Sequence, residues 1–225
     1  MTNIFLAGKN CIMSRFKHII DKQPSQEQSL PDDWPTVFPK PIVGLDRDGV
    51  INVEKWKYIS DPEEFEPIAG SLSAILKLRL KGYKVVILTN QGGIIKGELT
   101  HEQVENVHNR MFEIFGRAGI YSIDGLFYSE SSLKDDIFAK PNIGMFHRTE
   151  REIFQGKHRF KQGGFFVGDK MSDLKAAERI GATPVLVRTG YGLKTEEQLQ
   201  KFSKQKLKKK TKIFDNLFDF VESLR

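Results

Sequence analysis

Five short apolar runs, at 42–46, 83–88, 125–128, 164–168 and 184–187, constrain this chain most, because helical patterns fall between them. Each run is rich in Val, Ile, Leu or Phe and too short for a helix, so each reads as a buried strand. Helices are predicted over about 70–81, 101–116, 143–154 and 172–180. The first places Leu72, Ile75, Leu76 and Leu80 on one face; the second places Val104, Val107, Met111, Ile114 and Phe115, with Thr100 as N-cap and Gly116 near its end. Strands alternating with helices imply βαβ crossovers and a parallel sheet. The predicted fold class is therefore α/β, a doubly wound, Rossmann-like parallel sheet with helices on both faces. Ile213, Leu217, Phe218 and Val221 predict a closing helix.

At 225 residues, one large domain at 41–225 is expected. A lead-in over 1–40, broken by Pro24, Pro31, Pro35 and Pro39, reads as an N-terminal extension. The single cysteine, Cys11, excludes an internal disulfide framework and any multi-cysteine metal site. No run approaches the length of a membrane span. A cytoplasmic monomer is expected, although the acid-free stretch 1–20, with Lys9, Arg15 and Lys17, leaves organellar targeting open. The net charge of +6 is concentrated in Lys204, Lys206, Lys208, Lys209, Lys210 and Lys212, within the Lys-rich stretch and C-terminal helix at 201–225. No aromatic residue interleaves with these lysines. A solvated face is favoured over a nucleic-acid contact.

The polar residues of interest stand where the apolar runs end. The first run leads into Asp46-Arg47-Asp48-Gly49. Two carboxylates at i and i+2 past a strand suit a site needing one as nucleophile or metal ligand and the other as proton donor. The second leads into Thr89-Asn90-Gln91-Gly92-Gly93, a turn of hydroxyl, amide and backbone N–H donors suited to an oxyanion or phosphate. The fourth leads into Gly168-Asp169-Lys170-Met171-Ser172-Asp173, whose two carboxylates suit a hard cation or simple helix capping. Lys140, held out of the following helix by Pro141, can counter phosphate charge. The five histidines, His18, His101, His108, His147 and His158, show no ligand clustering and are expected at the surface.

In this order, the four elements resemble the haloacid dehalogenase (HAD) superfamily of aspartyl-phosphate phosphatases over residues 41–192. At closer range, Leu45-Asp46-Arg47-Asp48-Gly49-Val50-Ile51-Asn52, Tyr58-Ile59, Thr89-Asn90-Gln91, Lys140-Pro141 and Gly168-Asp169-Lys170 are similar to the branch of heptose bisphosphate and histidinol phosphatases. The resemblance implies Asp46 as nucleophile and Asp48 as general acid/base, with Thr89 and Lys140 on the phosphoryl oxygens. It implies Mg2+ on the Asp46 carboxylate, the Asp48 backbone carbonyl and Asp169, with Asp173 behind them. The gaps from Gly49 to the first helix and from Gly93 to Lys140 are too short for a large cap domain. Specificity is then expected from Asn52, Tyr58, Asn90, Gln91, Lys96 and Lys170.

The chain departs from that branch where a zinc loop usually stands. Residues 129–139 offer Ser, Glu, Lys and Asp without cysteine or histidine, so no zinc is predicted. Ala139 replaces the usual arginine beside the lysine. The expected activity is a magnesium-dependent phosphatase acting on a small phosphorylated metabolite, first D-glycero-D-manno-heptose 1,7-bisphosphate. The alternatives are histidinol phosphate, a polynucleotide 3′-phosphate, or a non-catalytic phospholigand-binding protein.

Overall fold

A computed structural model describes residues 40–201 and 205–224. The lead-in before Lys40, with Cys11 and His18, and Lys204 of the basic run lie outside the described residues. The strands are β1 (Ile42–Leu45), β2 (Lys84–Asn90), β3 (Gly125–Ser129), β4 (Phe165–Gly168), β5 (Thr183–Val187) and β6 (Lys212–Phe214). They form one six-stranded sheet in the order β3-β2-β1-β4-β5-β6, and every neighbouring pair is parallel. The helices are α1 (Ser71–Leu80), α2 (His101–Arg117), α3 (Gly144–Arg148), α4 (Met171–Ile180), α5 (Gly192–Lys201), α6 (Gln205–Lys210) and α7 (Leu217–Glu222).

Side chains alternate across the strands and divide the core in two. On one face Val43, Leu45, Val85 and Ile87 pack with Ile75 and Leu78 of α1, Val104 and Met111 of α2, and Phe220 of α7. On the other, Ile42, Val86, Leu88 and Phe166 pack with Phe146 of α3 and Ala176, Ala177 and Ile180 of α4. Helices thus cover both faces, as expected. Gly44 belongs to the second face, where an added Cβ would lie 2.5 Å from the Phe166 ring. Thr100 caps α2 by accepting from Gln103 N, and the Gln103 side chain accepts from Thr100 N.

Three expectations change at the level of elements. The helix predicted over 143–154 is α-helical only to Arg148 and continues as a π turn over Thr149–Ile153. In α1 the buried positions are Ser71, Ala74, Ile75 and Leu78, while Leu80 is exposed, because the helix turns its Ala74–Leu78 edge to the sheet. Ile213 belongs to β6, an edge strand paired with β5, rather than to the closing helix. No inserted cap domain stands among the described residues. The stretch from Gly49 to α1 holds a bridge-linked loop and one 3-10 turn, Pro62–Glu64.

Candidate active site

The strand order reverses on either side of β1 and β4, and in open α/β sheets ligands bind beyond the carboxyl ends at such a point. Asp46 immediately follows β1, and its N–H donates to Val167 O at 2.9 Å, extending the ladder to β4. Thr89 is the last residue but one of β2, and Asp169 follows β4. Asp46, Asp169 and Asp173 each bring a carboxylate oxygen within 4.8 Å of the others, and all three are buried.

Lys140 enters this cluster from the loop before α3. Its Nζ lies 2.9 Å from Asp46 Oδ1 and 2.8 Å from Asp173 Oδ1. Burial opposes its charge, but Asp173 and Asp46 outweigh it and raise the ammonium above its ordinary pKa. The backbone of Lys140 is fixed by Asn90, whose Oδ1 accepts from Lys140 N and whose Nδ2 donates to Lys140 O, both at 3.0 Å. The Lys140–Pro141 peptide is cis.

Asp173 has a double role. Its Oδ2 accepts from Lys170 N at 2.9 Å, capping α4 from the third helical position, and its Oδ1 faces Lys140. Asp169 Oδ2 accepts from Tyr191 N at 2.8 Å, while Oδ1 is buried with no hydrogen-bond partner. Burial foremost, then the charges of Asp173 and Asp46, hold the Asp169 carboxyl well above the ordinary carboxylate value against the opposing pull of Lys170. Burial raises Asp173 as well. Three hard oxygen donors and one orphaned carboxylate oxygen fit a divalent cation such as Mg2+. Gly49 and Gly190 are required by this packing. Both have positive φ, and a Cβ on either would come within about 2.2 Å of Asp169 Oδ2.

Asp48 points away from the cluster into a network of its own. Arg47 Nε and Nη2 reach its two oxygens at 3.1 and 2.9 Å, Asn52 Nδ2 donates at 2.9 Å and Gln91 Nε2 at 3.2 Å. Burial opposes ionisation of Asp48, yet Arg47, Asn52, Lys170 and Gln91 together hold its carboxyl below the ordinary value. Arg47 is itself buried, and its Nη1 meets His108 Nε2 at 3.0 Å. Burial, then the adjacent guanidinium, pushes His108 well below its ordinary pKa, so the neutral ring can accept from Arg47.

Two groups of expectations are revised here. Asn52, read as a substrate contact, is buried and turned onto Asp48; Gln91 lines the cavity as expected of a substrate contact but also bonds Asp48, and its Nε2 donates to Thr89 Oγ1 at 3.0 Å. Asn90 lines the cavity but uses its amide on the Lys140 backbone. His108, expected at the surface, is buried on α2. Its spacing from Val104 and Met111 puts it on the apolar face, a signal the sequence carried. Arg47 was legible only as the residue between two acids. Tyr58, Lys96 and Lys170 do line the opening, with Lys96 Nζ 5.4 Å from the Tyr58 ring centroid and Lys170 Nζ 2.8 Å from Glu54 Oε2. The opening is a cavity of about 930 Å³ that reaches Asp46, Asp48, Thr89 and Lys140 at its base.

The sequence profile of the polynucleotide kinase 3 phosphatase family matches residues 42–219. The chain belongs to that family. It is 32% identical over 182 residues to D-glycero-beta-D-manno-heptose-1,7-bisphosphate 7-phosphatase of Neisseria meningitidis, covering 80% of this chain and 92% of that protein. The corresponding phosphatase of Pseudomonas putida is 37% identical over 155 residues, covering 68% and 86%. A crystal structure of D,D-heptose 1,7-bisphosphate phosphatase from B. bronchiseptica, complexed with magnesium and phosphate, superposes with TM-score 0.71 at 30% identity, covering 81% of this chain and 96% of that one. The protein is thus a HAD phosphatase of the heptose bisphosphate phosphatase branch, a phosphoric monoester hydrolase. Among the described residues, no helix is long and apolar enough to cross a membrane.

Proposed function

We propose that this phosphatase removes a phosphate from a sugar bisphosphate, with D-glycero-D-manno-heptose 1,7-bisphosphate the foremost candidate. The observation that carries the reading is the buried set of Asp46, Asp169, Asp173 and Lys140 at the base of an open, cation-rimmed cavity. The relatives' activity and the magnesium and phosphate in the B. bronchiseptica complex support it.

Asp46 is the nucleophile. Its carboxylate oxygen forms a bond to phosphorus as the bond to the leaving oxygen breaks, giving an aspartyl-phosphate. The Lys140 ammonium, 2.9 Å from Asp46 Oδ1, offsets charge on the transferred phosphoryl oxygens, and Thr89 Oγ1 offers them a hydrogen bond. Asp48 protonates the leaving oxygen. In the second half of the reaction it takes a proton from the water that cleaves the aspartyl-phosphate. In the free protein Arg47, Asn52 and Gln91 hold the Asp48 carboxyl below its ordinary value, so Asp48 must take up a proton from solvent as substrate binding loosens that hold, and it is this proton that passes to the leaving oxygen. Asp46, Asp169 and the Asp48 backbone carbonyl would hold Mg2+, with Asp173 supporting them. The ion, when bound, supplies charge neutralisation for the phosphoryl group. No zinc is assigned to the 129–139 loop. There Ser129 Oγ donates to Ser131 O at 3.1 Å, Asp136 Oδ1 accepts from Phe138 N at 2.8 Å, and Asn142 Nδ2 donates to Lys134 O and Asp136 O.

The test is phosphate release from a panel holding the heptose bisphosphate, histidinol phosphate and a 3′-phosphorylated oligonucleotide, each with and without Mg2+. A highest kcat/KM on the heptose bisphosphate is expected. A higher value on the oligonucleotide would transfer the assignment to nucleic-acid ends, the reading favoured by the family's description.

A further inference from the structure

Trp56 contributes little to the core and stands at the rim of the cavity. It is 66% exposed, and its backbone has φ 61, in the left-handed region that bulky residues rarely enter. Such a conformation persists only where the surroundings impose it, and it concentrates at ligand sites. The imposing contacts are visible. Glu54 accepts from Trp56 N at 3.1 Å through Oε1 and pairs with Lys170 Nζ at 2.8 Å through Oε2. The indole meets the Tyr191 ring edge to face, with centroids 4.5 Å apart and planes at 76°. Tyr191 N in turn donates to Asp169 Oδ2 at 2.8 Å. A chain of direct contacts therefore ties the indole to the buried carboxylate of Asp169, and Trp56 lines the same cavity as Asp46 and Asp48.

A rigid aromatic surface beside a phosphate-accepting centre suits a leaving group with a flat apolar face. Elsewhere in the cavity Ser132, Lys134 and Glu98 offer hydrogen bonds of the kind that hydroxyl groups need. We propose that Trp56 is a specificity residue that packs against the C–H face of a sugar ring while Asp46 takes that sugar's phosphate. This inference rests on the phosphatase reading above and adds to it a residue that selects cyclic leaving groups over acyclic ones.

Two measurements test it. Steady-state kinetics with Mg2+ would compare wild type, Trp56→Ala and Trp56→Phe on a hexopyranose phosphate, glycerol 3-phosphate and a nucleoside 3′-monophosphate. Trp56→Ala is expected to raise KM for the hexopyranose phosphate about tenfold with kcat within about twofold, Trp56→Phe to recover most of it, and glycerol 3-phosphate to be unaffected. Equal losses on hexopyranose and glycerol phosphates would overturn the proposal, and a larger loss on the nucleoside phosphate would overturn its assignment to a sugar. The second measurement uses Trp34→Phe/Asp46→Asn protein, in which Trp56 is the only indole, since the chain has two tryptophans. Saturable quenching by the hexopyranose phosphate and none by glycerol 3-phosphate is expected. If wild type releases phosphate from no ester while this quenching persists, the phosphatase reading fails and the platform stands. Absence of quenching would overturn the platform whatever the turnover.

Discussion

Lys140 holds two buried carboxylates at once, and the energetics of the site turn on that residue. Removing one partner of a buried ion pair leaves the remaining charge uncompensated, at roughly 3–5 kcal/mol. Lys140→Ala should therefore destabilise the metal-free protein by about that amount in urea titrations, and Mg2+ should restore part of it by neutralising Asp46 and Asp173. An unchanged midpoint would show that the ion pairs do not matter in solution. The acids give a second prediction. Because burial and neighbouring acids raise Asp169 above the ordinary carboxylate value, the folded protein keeps a proton that the unfolded chain has already lost. Metal-free stability should fall as pH rises from the ordinary carboxylate range through that raised value, the reverse of a salt-bridged acid. A divalent cation needs the carboxylates ionised, so Mg2+ should bind more tightly over the same rise and release protons. Calorimetry in buffers of different ionisation enthalpy would detect them; pH-independent affinity without proton release would contradict the burial argument.

At the scale of elements, the sequence was legible where a local rule and the global fold agree. Thr100 caps α2 as predicted, with Gln103 completing the capping box, and Thr100→Ala should cost about 1 kcal/mol in denaturant unfolding without altering KM. A loss well below that would mean that packing of Val104, Val107 and Met111 sets the helix start by itself. β6 was missed for a physical reason. Lys212–Phe214 is three residues long and directly follows the basic helix α6, so no alternation can register, and only pairing with β5 makes it a strand. In α6 itself Leu207 is buried while Lys206, Lys208, Lys209 and Lys210 are exposed, so the basic run is the outer face of a helix anchored by one leucine. The site residues Asp46, Thr89, Asp169 and Asp173 were legible because each follows an apolar strand. The Arg47–His108 contact and the turn of Gln91 onto Asp48 were not, since they join residues 61 and 43 positions apart in sequence.

For the whole molecule, the parallel sheet places the ends of β1, β2 and β4 side by side, and loops without an inserted domain leave that edge open. Asp46, Thr89 and Asp169 therefore stand at strand ends, while Lys140, Trp56, Tyr58 and Lys96 come from loops. Core chemistry and substrate choice can then vary independently. Attack on phosphorus by Asp46, at the switch point of the sheet, is the step on which the proposed function rests. It is tested most directly by phosphate release from heptose 1,7-bisphosphate with Mg2+, comparing wild type with Asp46→Asn at equal folded concentration. Wild type should turn over and Asp46→Asn should release no phosphate above background, with the fold of the variant unchanged by circular dichroism. Turnover by Asp46→Asn comparable to wild type would contradict it.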